Sequence, residues 1–274
     1  MSIAVIVPAR NEEKYINKTL DSLLNQTRKP DEIIVVLDRC NDKTPEIVKE
    51  YAARDKTIKI VDKHHSKYGS TFLKGFVVAE AINEGIKHIS SDVDYLMIAN
   101  ADSVYSNYYA EEAVDILNRE KDCVIVGYKD DAAVSGSGAF YRRSFLLKVT
   151  GGFFKECAAE DTFLQFAALN LDHKIIGLEK SKFILLRKRG AGSGSERIKY
   201  AMAQGYASYT LGISFWYVML RTGYWIMRGR FSAIGITFGF INASLAKAEK
   251  LDLMFPDVAK QWQKMRVREV LNNL

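Results

Sequence analysis

Cysteine is scarce in this 274-residue chain: Cys40, Cys123 and Cys157 stand far apart and are odd in number. That spacing excludes a disulfide framework and a zinc site, and it points to a reducing interior. Histidine is scarce too, and His64, His65, His88 and His173 form no ligand-spaced set. Uninterrupted apolar runs reach only roughly 15 residues, short of the about 20 that a bilayer-crossing helix needs, so a membrane span is not expected. The chain opens without a charged segment followed by a long apolar stretch, so no signal peptide is read and a cytoplasmic location is expected. Finger, helix-turn-helix and RNP patterns are missing, and the aromatics lie mostly in hydrophobic runs, so nucleic acid is not an expected partner.

What the chain does have is core material. A hydrophobic fraction of 48% suits one large domain or one and a half, and a net charge of +6 favours an anionic partner, either a phosphorylated ligand or an acidic membrane surface. Residues 3–7 read as a buried strand closed by Pro8, and 13–26 as a helix with Tyr15, Ile16, Leu20, Leu23 and Leu24 on one face. The pattern repeats with a strand over 32–37 ending at Asp38, then a helix opened by Pro45. Further strands are read over 58–61, 123–127, 135–143, 174–178 and 183–186, and further helices over 108–119 and 162–169. Such alternation predicts βαβ units and a mostly parallel sheet. In sheets of this kind chemistry collects at the carboxyl ends of strands. The apolar run from Tyr95 breaks there into Asn100-Ala101-Asp102-Ser103. A carboxylate with an amide two residues before it suits a hard divalent cation shared with a diphosphate. The alternative is that Asp102 caps the following helix.

Four pieces in a fixed order resemble a family-2 glycosyltransferase over residues 3–205. They are Val5-Ile6-Val7-Pro8-Ala9-Arg10-Asn11-Glu12; Val35-Val36-Leu37-Asp38 with Thr44; Lys74 and Gly75 with Ala81, Asn83 and Gly85; and Gly151-Gly152-Phe153 followed by Glu160-Asp161. The resemblance implies a GT-A fold, a Rossmann-like α/β arrangement with a mostly parallel mixed sheet flanked by helices. It implies an inverting transfer of sugar from a UDP- or GDP-sugar to a hydroxyl of a glycan or lipid-linked acceptor. Pro8, Ala9, Arg10, Asn11, Glu12 and Asp38 would line the nucleoside pocket, and Lys74, Asn100, Ala101, Asp102 and Arg197 would attend the diphosphate. Asp102 would ligate Mn²⁺ or Mg²⁺, Asp161 would be the general base, and Glu160 would orient it or touch the acceptor. Two departures stand out. The usual Asp-x-Asp metal motif is here Asn100-Ala101-Asp102, and the arginine expected after Glu160-Asp161 is replaced by Ala167 and Ala168. The glycine-rich loop with Arg187, Lys188, Arg189 and Arg197 could close over the donor and neutralise the departing diphosphate. Structural alternatives remain open: Glu12 and Asp161 suit helix starts, Asp38 a turn, and the basic loop plain solvation.

Residues 1–205 are therefore expected to form the catalytic domain and 206–274 an apolar helical extension. From Tyr206 the chain is aromatic and aliphatic, interrupted by Arg221, Arg228 and Arg230. Amphipathic helices lying peripherally on the inner face of the cell membrane fit this pattern, and a soluble cap or a homodimer interface is the alternative. Two other functions compete with transfer: non-catalytic binding of a nucleotide-sugar or membrane, given Asn100, and a sugar-phosphate nucleotidyltransferase. The latter lacks its glycine-rich basic signature after the first strand.

Overall fold

The computed structural model describes the chain except for residues 70–73, 131–132, 188–192, 252–256, 261, 265–266 and 268–274, and the side chains of Lys74, Gly75, Asp130 and Ala133. Strand and helix alternate through β1 (Ile3–Ala9), α1 (Ile16–Leu24), β2 (Glu32–Asp38), α2 (Thr44–Arg54), β3 (Ile58–Lys63), α3 (Lys74–Ile86) and β4 (Tyr95–Ile98). The four strands lie parallel in the order β3-β2-β1-β4. The chain continues through β5 (Ser103–Tyr105), α4 (Tyr109–Arg119), β6 (Cys123–Asp130), β7 (Ala133–Val134), β8 (Ala139–Arg142), α5 (Arg143–Thr150), α6 (Glu160–Asn170), β9 (Lys174–Leu178) and β10 (Phe183–Leu185). Strand β8 enters antiparallel between β4 and β6, β9 adds parallel to β6, and β10 pairs antiparallel with β5 in a separate ribbon. The sheet is mixed, as the GT-A resemblance implies.

Continuous apolar strands are covered on both faces, and alternate residues divide between two cores. Ile3, Val5, Val7, Ile33, Val35 and Met97 pack with α1, α2 and α4. Their neighbours Ala4, Ile6, Ile34, Val36, Leu96 and Ile98 pack with α3 and α6. Gly85 lets α3 approach the sheet, since a Cβ there would stand 2.8 Å from Ile6 and 3.0 Å from Val36.

Several elements differ from the sequence reading. Strand β4 ends at Ile98, Asn100–Asp102 form a turn, and β5 follows, so Asp102 caps no helix. The stretch 135–143 is not one strand, because Gly138 at φ 75° breaks it and only Ala139–Arg142 extend. The unexpected α5 follows. It stops at Gly151, whose φ of 65° and N–H bond to Leu147 O make a left-handed cap, with Gly152 N–H bonding to Leu146 O. The Gly-Gly pair is thus first of all a helix stop.

The chain goes on through α7 (Gly194–Thr210), α8 (Phe215–Met227) and α9 (Ile234–Leu245), with a short 3₁₀ turn at Phe231–Ala233 leading into α9. Ser193 and Glu196 close a reciprocal capping box on α7. The boundary expected at 205 falls inside α7, at its crossing with α9. Cβ atoms placed on Gly205, Gly235 or Gly239 would run into the opposite backbone, so the two helices touch main chain to main chain. Trp262 joins this region to the sheet layers, its ring 5.9 Å from Phe166 of α6 and 6.2 Å from Tyr217 of α8. No described helix is long and apolar enough to cross a membrane.

Candidate active site

The order β3-β2-β1-β4 reverses direction at β1, and the crevice outside the carboxyl ends of β1 and β4 is where such sheets admit ligands. One wall is the loop after β1. Pro8 and Ala9 close the strand, Arg10 is exposed, and Asn11 takes a left-handed φ of 56°, a conformation Asn tolerates. That turn is tied to the loop after β2. Asn41 N–H donates to Asn11 Oδ1 at 2.9 Å, Glu12 N–H to Thr44 Oγ1 at 2.8 Å, and Glu13 N–H to Asp42 Oδ2 at 3.1 Å. The Glu12 carbonyl accepts from Tyr15 and Ile16, which starts α1 and leaves the side chain to turn into the crevice.

The other wall is the turn after β4. Asn100 is exposed, Ala101 is buried with its carbonyl accepting from Thr19 Oγ1, and Asp102 is partly buried. The ribbon of β5 and β10 delivers a cation to this turn. With Leu185 opposite Ser103 and Leu186 N–H bonded to Asp102 O, Arg187 emerges beside both walls. Its guanidinium lies 2.5 Å from Glu12 Oε2 and 3.8 Å from Asp102 Oδ2, and sits over the Tyr15 ring at 5.5 Å. Burial pushes the Glu12 carboxyl up; Arg187 opposes that shift and the Asp102 charge adds to it. Two carboxylates and one arginine thus face one another at the switch point.

Asp38 ends β2 with its carboxylate already engaged. Arg39 donates to both oxygens at 3.0 and 2.9 Å, and Lys63, its register partner on β3, donates at 3.0 Å. Burial works to raise this carboxyl, but the bonds from Arg39 and Lys63 outweigh it and hold the group below the usual range. A base or ribose reaching Asp38 would meet this ion cluster rather than a bare carboxylate.

The acidic pair opens α6, with Glu160 and Asp161 in its first turn. Asp161 Oδ1 accepts from Thr162 N–H at 2.7 Å, and its carboxylate lies so close to Gly136 that a Cβ there would overlap it. Gly136 belongs to the turn that Gly138 anchors to Ile98 O at 2.7 Å and Ser137 anchors to Ser103 and Tyr105 through hydroxyl contacts of 3.3 and 3.1 Å. The turn against which the Asp161 carboxylate lies is thus fastened to the strand that leads to Asp102. Although part of Glu160 meets solvent, burial first and the Asp161 charge second push its carboxyl up to about 8. The buried Tyr141 hydroxyl lies in the field of the same two carboxylates; burial above all, and then their charges, raise it well above its ordinary value.

Some of the remaining expected residues lie outside the description. Lys74 begins α3, and its side chain is among the atoms not described, as are residues 188–192. Arg197 is exposed on α7, while Ala167 and Ala168 are fully buried in α6. Sequence reasoning offered Arg187 as one of several loop cations that could close over the diphosphate, without its Glu12 and Asp102 partners, and missed Arg39, Lys63 and Gly136 as site residues. Reading the Asp38–Lys63 register would have found one of them.

A divalent ion would find hard oxygen donors in the Asp102 carboxylate and the Asn100 amide. Among the described residues no three His, Cys, Asp or Glu side chains converge as ligands. The donor set fits an ion that takes its other ligands from a diphosphate and water, as Mg²⁺ commonly does.

Residues 4–146 match the family model described as Glycosyl transferase family 2. The glycosyltransferase GlyA of Streptococcus pneumoniae serotype 4 is 30% identical over 138 residues, 50% of this chain and 17% of that protein. The chain spans less than half the length of the first curated relatives it matches. Among solved structures, the mannosyltransferase PcManGT from Pyrobaculum calidifontis, in complex with GDP-Man and Mn²⁺, aligns with a TM-score of 0.61 at 18% identity, covering 98% of this chain and 84% of that one. S. aureus TarS residues 1–349 in complex with UDP-GlcNAc aligns at 0.51 and 20% identity, covering 74% and 66%. These structural likenesses identify the fold.

Proposed function

The chain belongs to glycosyl transferase family 2, and on that premise we propose that it moves a sugar with inversion from a nucleoside-diphosphate sugar to an acceptor hydroxyl. The observation that supports this reading is the meeting of Glu12, Asp102 and Arg187 beyond the end of β4, with the Asp161 carboxylate against a turn that is hydrogen-bonded to the same strand. Asp161 takes the acceptor proton, the freed oxygen attacks the anomeric carbon, and the bond to the diphosphate breaks on the opposite face. Burial first and the Asp161 charge second push the Glu160 carboxyl up to about 8, which suits Glu160 to hold a proton beside Asp161, the base. Arg187 leaves its carboxylates to meet the departing diphosphate, where a preformed positive charge lowers the barrier. Asp102 and the Asn100 amide would hold Mn²⁺ or Mg²⁺, which supplies charge neutralisation on the diphosphate. The loops after β1 and β2 form the nucleoside wall. GDP-Man in one structural neighbour and UDP-GlcNAc in another support a nucleotide-sugar donor for this chain. Residues 1–205 carry the chemistry, and the helices beyond form the accessory region.

Asn100 supports a second reading, non-catalytic binding, because one acid of the metal motif is an amide. A single experiment separates the two. The purified chain is screened by thermal shift against UDP and GDP with and without Mn²⁺, and the nucleotide-sugar of the stabilising nucleotide is then assayed for turnover. Transfer requires a metal-dependent shift and a turnover that falls about 10²–10⁴-fold in Asp161→Asn. A shift with no turnover in the wild-type chain means binding without catalysis.

A further inference from the structure

Small residues let α9 meet α7, with Gly235 and Gly239 against its backbone, and Thr237 of α9 donates to Thr222 of α8 at 3.0 Å. Val218 and Ile236 are buried and Trp225, Ile226 and Phe240 partly so, yet each helix also turns a row of large apolar residues outward. On α8, Trp216, Leu220 and Met227 are exposed at one-face spacing, and on α9 so are Ile234, Phe238, Ile241 and Leu245. Trp216 at 77% and Leu245 at 80% exposure are extreme for such side chains in a helix that has a protein side to pack on. A helix in water buries its large residues, whereas a helix facing lipid can seam itself on glycines and turn the large ones out.

Charge identifies the occupant. From Arg197 to Ala248 there is no acidic residue, while Arg197, Lys199, Arg221, Arg228, Arg230 and Lys247 are basic. Arg228 and Arg230 sit at the end of α8, stacked on Tyr224 at 4.6 Å and on Trp225 at 4.2 Å. A second copy brought onto this face about a two-fold axis would bring like charges together. An anionic lipid surface would neutralise them. Helices of 13 and 12 residues extend only about 20 Å, against roughly 30 Å of hydrocarbon, so they lie in the interface. We propose that α8 and α9 form a monotopic docking face for an anionic lipid bilayer, an inference independent of the glycosyl-transfer reading.

The test is co-sedimentation of the full chain with phosphatidylcholine vesicles with and without phosphatidylglycerol, beside Leu220→Ser/Phe238→Ser and Arg228→Ala/Arg230→Ala double variants. Circular dichroism checks helix content and analytical ultracentrifugation checks oligomeric state. The expected result is binding to the phosphatidylglycerol vesicles that weakens about fivefold for each arginine removed. The apolar double variant loses it at unchanged helix content. No binding to anionic vesicles, binding indifferent to the apolar pair, or a stable dimer that the apolar pair dissociates would each overturn the proposal.

Discussion

Replacing Glu160 by Gln probes the acidic pair through stability rather than activity. In the folded chain the Glu160 carboxyl titrates at about 8 against an ordinary 4.5, from burial first and the Asp161 charge second. Between those values the folded state holds a proton that the unfolded state has released. Its contribution to stability is therefore complete below the unfolded value and is lost as pH rises to the folded one. The slope is about 1.4 kcal/mol per pH, or about 4 kcal/mol between about pH 5 and about pH 8. Asp38, Glu80 and Glu156 are held below the carboxylate range by their hydrogen bonds, which outweigh burial, so their contributions are lost at more acid pH, outside this window. Glu12 is raised like Glu160, but it is common to both proteins and cancels in their difference. Urea unfolding of wild type and Glu160→Gln at a series of pH values should give stability curves that diverge across the window, Gln gaining relative to Glu, and run parallel above about 8. Curves parallel throughout would refute the account of a buried carboxyl kept neutral beside Asp161.

The helix crossing gives a paired prediction. Gly239→Ala puts a Cβ into the Met202 backbone and should destabilise by about 1–3 kcal/mol. Gly223→Ala meets nothing within 4 Å on the exposed side of α8 and should stabilise by about 0.5–1 kcal/mol through helix propensity. Thermal or urea unfolding reads both, and equal effects would contradict the close approach of α7 and α9. Arg187→Ala removes the cation shared by Glu12 and Asp102. The guanidinium is half exposed, so the pairing is worth about 1 kcal/mol at most, and Mn²⁺ alone should then bind up to about fivefold more tightly by titration. Unchanged or weaker Mn²⁺ binding would mean that Arg187 does not compete for Asp102.

How much was legible depended on how each residue is positioned. Strands β1, β2 and β4 are apolar runs whose ends are fixed by their own sequence, so the residues at or just beyond those ends, Pro8 to Glu12, Asp38 and Asn100 to Asp102, were placed correctly as strand-end positions. Their partners were not. Arg187 reaches Asp102 only because Phe183–Leu185 pair with Ser103–Tyr105, two three-residue strands with no periodicity of their own and about eighty positions between them. Gly136 approaches Asp161 through a turn anchored on β4, which looked like continuous strand because Gly138 gave no sign of its left-handed φ. Helices were expected in the C-terminal region and are present, yet their composition could not say which side faces out. That follows from Gly205, Gly235 and Gly239 meeting a main chain, a fact about two helices together.

The illegible interactions also explain how Asn can stand at position 100. Glu12 and Asp102 already face each other across the crevice, and their repulsion helps raise Glu12 although Arg187 opposes it. An acid at 100 would put a third negative charge on a mouth where Arg187 supplies the cation to both existing carboxylates. The amide keeps an oxygen donor for a divalent ion while leaving the nucleotide-free crevice closer to neutral.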